Sequence, residues 1–156
     1  VIAHEISHGF DNNGGKYDEK GNLSNWWTKE DYAEFEKRSQ EMVKLFDGRE
    51  FAGGKMSGVM TLGENIADAG GMRCALEVTK SLPDADLDAF FTNYATSWAM
   101  VARPEYEQLL LSLDTHAPSK LRTNVQLSNV QEFYDTYDVT EKDAMYIAPE
   151  DRVVIW

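Results

Sequence analysis

A mainly α-helical single domain, with at most one short hairpin, is the fold class the sequence predicts. Three observations lead there. The chain of 156 residues is 42% hydrophobic and 12% aromatic, enough to bury one sizeable core. Its apolar residues recur at helical spacing in several segments, and clusters of Gly, Pro and Asx separate those segments. No internal repeat, low-complexity tract or linker divides it, so residues 1–156 read as one unit.

Residues 1 to about 11 read as a helix, which "DNNGGKYDEKGN" then breaks with paired glycines and Asx residues. Within that stretch "DEKGN" lacks the acidic spacing of a calcium loop and reads as a plain turn. In "SNWWTKEDYAEFEKRSQEMVKLF", Thr28 is placed to cap a helix, with Asp31 three residues on. Tyr32, Phe35, Met42, Val43 and Phe46 fall near one face of that helix. Trp26 and Trp27 read as core anchors.

The glycine-rich "FAGGKMSGVM" is a loop that leads into a helix over "TLGENIADAGGMRCALEVTKSL". Two more helices follow in "PDADLDAFFTNYATSWAMVARPEYEQLLLSLD", interrupted near Pro104. "THAPSKLRTNVQLSNVQEFYDTYDV" reads as a loop around Pro118 and then short helices, and "EKDAMYIAPEDRVVIW" as irregular or briefly extended.

Fifteen Lys and Arg against 27 Asp and Glu give a formal charge of −12. Phosphate binding needs a basic surface, so nucleic acid is not the expected partner, whereas a cation is better matched. No apolar run reaches the length of a bilayer span. The lone Cys74 excludes an internal disulfide. That fits a reducing, cytoplasmic compartment, with a secreted or cell-surface location as the alternative.

The chemistry is concentrated in "AHEISHG". Residues four apart share a helix face, so His4 and His8 can offer imidazole nitrogens to one ion. Glu5 points roughly a quarter-turn away from His4 and can reach a metal-bound water without being a ligand. This is the H-E-x-x-H arrangement of two zinc ligands and a carboxylate base. A catalytic zinc takes three protein ligands and keeps the fourth position open. "GENIAD" supplies candidates: Glu64 to bind the ion, and Asp68, one turn on, to accept a hydrogen bond from a ligand histidine. Cys74 is the alternative third ligand. Glu64 has a second reading too, since Thr61 and Glu64 match a capping box.

Together "VIAHEISHGFD", "TLGENIADAGG", "DTHAPSKLRTN" and "APEDRVVIW" resemble the neprilysin-like zinc endopeptidases, most of all the bacterial endopeptidase O branch. The resemblance implies the helical C-terminal part of a thermolysin-like (gluzincin) catalytic domain, truncated at its N-terminus. It implies one Zn2+ per chain, held by His4, His8 and Glu64, with Glu5 as general base and Asp11 and Asp68 as outer partners of the ligand histidines. It also implies that His116 steadies the oxyanion, that Arg122 binds a substrate backbone carbonyl, and that Asp114 supports their loop. The expected partners are an oligopeptide substrate and the missing N-terminal part of the same enzyme. A piece lacking that part is expected to have little or no activity. Two other readings stay open: a zinc amidase acting on non-peptide substrates, and a non-enzymatic helical module with a structural metal.

Overall fold

Seven helices, α1 to α7, and one two-residue hairpin make up the chain in a computed structural model that describes residues 1–156. α1 spans Ile2–Ser7 and runs directly into a 3-10 turn, His8–Phe10. A second 3-10 turn, Gly14–Lys16, and a loop held by the Asp18 carboxylate lead to α2, Lys29–Phe46. Thr28 starts α2 as the sequence predicts: its hydroxyl oxygen accepts from the Asp31 backbone N–H at 3.1 Å. Phe35, Ser39, Met42, Val43 and Phe46 form the buried stripe of this helix, while Tyr32 sits at its edge, exposed.

The two tryptophans before α2 part company. Trp27 packs on Phe35 and donates its indole N–H to the Gly15 carbonyl at 2.7 Å. Trp26 stacks on Trp27 but stays 44% exposed, so only one of the pair anchors the core. The difference is one of reach: the Trp27 ring already occupies the space against Phe35, and Trp26 covers its outer face.

The glycine-rich loop contains the hairpin. Strand β1, Glu50–Phe51, pairs antiparallel with β2, Gly54–Lys55, through Ala52 and Gly53, both at positive φ. Gln108 secures the turn by donating to the Ala52 carbonyl at 2.9 Å.

α3, Leu62–Lys80, is the axis of the molecule. Its first half joins α2, Ala117, Val125, Val153 and Ile155 in the larger apolar cluster. Its second half carries Met72 and Leu76 into a smaller cluster with Phe91 and Leu127. α4, Leu87–Ser97, is capped by the Asp86 carboxylate, which accepts from Ala89 N–H at 2.8 Å. Pro104 is the first residue of α5, Pro104–Leu113, where its missing N–H is not needed. α6, Ser119–Leu127, and α7, Gln131–Tyr137, complete the helices, and the irregular tail folds back across α3. No helix is long and apolar enough to cross a membrane.

Candidate metal centre

α1 lies along α3 because two consecutive glycines let it come close. A Cβ at Gly70 would stand 2.5 Å from Ser7 Oγ, and one at Gly71 would stand 2.9 Å from the His4 backbone nitrogen. The pair "GG" in mid-helix was the sequence signal for this approach, since glycine costs about 1 kcal/mol there and needs a packing reason.

The close approach brings His4, His8 and Glu64 together, each offering one ligand atom within 4.8 Å of the others. Glu64 Oε2 is 3.2 Å from His4 Nε2 and 3.5 Å from His8 Nε2. The outer nitrogens of both rings are committed elsewhere. His8 Nδ1 donates to Asp11 Oδ2 at 2.7 Å, and Asp11 is itself fixed by the backbone N–H groups of Asn13 and Gly14. His4 Nδ1 lies 2.8 Å from Asp68 Oδ1, off the line of a good hydrogen bond. Both Nδ1 atoms face carboxylates, which only accept, so the ring protons belong there.

It follows that both Nε2 lone pairs point at a carboxylate oxygen that is itself buried without a hydrogen-bond partner. Acceptors facing one another with no proton between them are repulsive, and a cation among them reverses the sign. The two Glu64 distances suit zinc: ligand bonds of about 2.0–2.2 Å in a tetrahedron put ligand atoms ~3.3–3.6 Å apart.

Glu64 is free to join this group because it does not cap its helix. Thr61 makes no capping hydrogen bond; its hydroxyl donates to the Ser57 carbonyl and accepts from Asn65 Nδ2. Cys74 is exposed and stands outside the group.

His116 approaches Glu64 from the α6 side, its Nε2 3.1 Å from Oε2. Asp114 fixes the ring, accepting from His116 Nδ1 at 2.7 Å and from the His116 backbone N–H at 2.9 Å. Those two bonds, with burial opposing them, hold the Asp114 carboxyl below its usual range.

Arg122 is buried, and its Nε and Nη2 donate to the two Asp68 oxygens at 2.7 and 2.8 Å. Trp98 covers the guanidinium, whose carbon lies 4.0 Å from the ring centroid. Burial alone would raise the Asp68 pKa, but contacts from His4 and Arg122 outweigh it and hold the carboxyl down. Reciprocally, Asp68 raises the pKa of His4 from its ordinary value, more than burial lowers it. Burial also pushes the Tyr94 hydroxyl up. The Asp68–Arg122 pair and the Trp98 lid escaped sequence reasoning, since 54 residues separate the paired side chains.

Glu5 is exposed on α1 and shares a cleft of about 580 Å3 with His4, Asp68, His116, Arg122 and Trp98.

The model of peptidase family M13 matches residues 1–153. Over its whole length the chain is 54% identical to the neutral endopeptidase of Lactococcus lactis subsp. cremoris, covering 25% of that protein. It is 36% identical to human neprilysin over 172 aligned residues, covering 23% of it. The crystal structure of PepO from Lactobacillus rhamnosis superposes on 99% of the chain with a TM-score of 0.94 at 47% identity, using 25% of the PepO chain. The zinc metalloprotease Zmp1 of Mycobacterium tuberculosis, solved with an inhibitor, covers all of the chain with a TM-score of 0.91 at 34% identity, over 26% of its own length. The chain thus spans about a quarter of the relatives it matches, and within that span it belongs to peptidase family M13.

Proposed function

We propose that this chain carries the catalytic zinc site of an endopeptidase that hydrolyses internal bonds of oligopeptides. The observation behind the reading is the convergence of His4 Nε2, His8 Nε2 and the unpartnered Glu64 Oε2, three lone-pair atoms with no proton to share. His4, His8 and Glu64 would hold one zinc ion, which when bound supplies Lewis-acid polarisation of the scissile carbonyl and an acidified water.

The chain's own groups do the rest. Glu5, one residue after the first ligand and on the cleft wall, takes the proton of the attacking water and delivers it to the leaving amine. His116 donates from Nε2 to the developing oxyanion. With Nδ1–H already given to Asp114, that donation requires a proton on Nε2 as well. Loss of one such donor costs about 2.7–4 kcal/mol of barrier. Arg122, held flat between Asp68 and Trp98, keeps Nη1 for a peptide carbonyl in the cleft. Asp11 and Asp68 keep the ligand rings oriented.

The reading has two tests. Elemental analysis of the purified chain should return one zinc, lost in His8→Ala; equal metal in both proteins would overturn the site. Activity needs a separate measurement, since relatives hold about three quarters of their length outside the matched stretch. That remainder is the proposed partner, and the chain alone is expected to turn over a quenched peptide slowly or not at all. Robust cleavage that Glu5→Gln abolishes would show that remainder to be dispensable. A panel of non-peptide amides separates the peptidase from an amidase, because the same water attack serves many carbonyls.

A further inference from the structure

We propose that Trp156 is a positioning residue for the zinc helix, an aromatic brace that sets where His8 sits; this rests on the zinc reading above. The tail that ends in Trp156 is fixed. Val153 N–H donates to Asn129 Oδ1 at 2.6 Å, and Asn129 Nδ2 donates back to the Val153 carbonyl. Ile155 is buried in the larger cluster, and its carbonyl accepts from Arg38 Nη1 at 3.1 Å. The indole is therefore delivered to one place by its own backbone.

There it meets both sides of His8. The Trp156 ring stacks on Phe35 at 5.4 Å and presents itself edge-on to Phe10, centroids 6.3 Å apart. Phe10 ends the 3-10 turn that begins at His8. On the other side, a Cβ at Gly70 would be 2.5 Å from Ser7 Oγ and 3.6 Å from Trp156 Cδ1, so Ser7, Gly70 and Trp156 meet around one point. Ser7 is tied into α1 by donating to the Ala3 carbonyl at 2.8 Å. His8 lies between Ser7 and Phe10, just past the end of a six-residue helix that would fray if left alone. The ring, edge-on to Phe10 and beside the point where Ser7 meets Gly70, limits how far that turn can rotate, and with it the direction of His8 Nε2.

Trp156 is 46% exposed and belongs to neither apolar cluster, although it stacks on Phe35 of the larger one, so its variants are compared at matched folding. The test is zinc affinity by competition with a chromophoric chelator, together with the visible spectrum of the Co2+-loaded chain, which reports ligand geometry. Trp156→Ala should weaken zinc about tenfold, as loss of outer support to a ligand does, and should alter the cobalt bands. Trp156→Phe should restore both. Phe133→Ala, in the smaller cluster and away from the brace, should lower the melting temperature and leave both readouts unmoved. If Trp156→Ala does not fold, Trp156→Leu makes the same comparison, with an intermediate loss expected. Wild-type affinity and spectrum in the folded Ala or Leu variant would overturn the brace, as would an equal loss in Phe133→Ala. If His8→Ala binds zinc as wild type does, the zinc reading fails and takes this inference with it.

Discussion

Gly71 of α3 stands directly beneath His4 of α1: a Cβ on the glycine would lie 2.9 Å from the histidine's backbone nitrogen and 3.2 Å from its Cβ. Alanine there has two opposed effects. In helix propensity it gains about 1 kcal/mol, but it pushes α1 outward by a few tenths of an ångström at the residue that carries a ligand. Because the clash is with backbone, Gly71→Ala should lower thermal stability despite that gain and weaken zinc measurably in a chelator competition. An unchanged zinc affinity would mean that α1 is not seated by this contact.

The two readings of Glu64 separate by mutation. Glu64→Gln should weaken zinc by more than the ~10–100-fold typical of an outer-shell loss. Thr61→Ala removes a hydroxyl that bonds Ser57 and Asn65, not a helix cap, so it should lower stability and leave zinc affinity near wild type. If Thr61→Ala also abolished zinc binding, Glu64 would depend on the helix start after all.

α7 is pinned to α3 by charge. Glu132 meets Lys80 at 2.8 Å and Arg73 at 3.5 Å. Burial pulls the Glu132 pKa upward, but the Lys80 hydrogen bond, with help from Arg73, outweighs it and leaves the carboxyl below its ordinary 4.5. A carboxyl depressed in the folded state stabilises above its unfolded pKa, and that contribution disappears as pH falls through the folded value. Urea unfolding should thus lose stability more steeply below about pH 4.5 in wild type than in Glu132→Gln. Parallel pH profiles would rule the contribution out.

Adjacent tryptophans should behave unequally. Trp27→Ala removes a ring packed on Phe35 and an indole bond to Gly15, whereas Trp26→Ala removes a largely outward ring. Chemical denaturation should find Trp27→Ala costing about 3 kcal/mol or more and Trp26→Ala well under half of that. Phe46→Ala, fully buried in the larger cluster, sets the upper reference at about 3–5 kcal/mol. Equal losses at the two tryptophans would return both to the core.

By itself the sequence determined what is local. Helical period put His4 and His8 on one face and Glu64 and Asp68 on another, and Thr28 and Pro104 marked where helices begin. Asp114, two residues before His116, and Asp11, three after His8, were implied only by the family resemblance, although both contacts are local. Tertiary structure alone decided whether Glu64 turned towards the imidazoles or back to its own helix end, because both rotamers satisfy the local pattern. It alone paired Asp68 with Arg122 under Trp98 and brought Trp156 against Phe10. The physical reason is distance along the chain. Spacing of three or four residues fixes direction on one helix, whereas contacts between elements depend on how closely the elements pack, and here two glycines at 70 and 71 set that closeness.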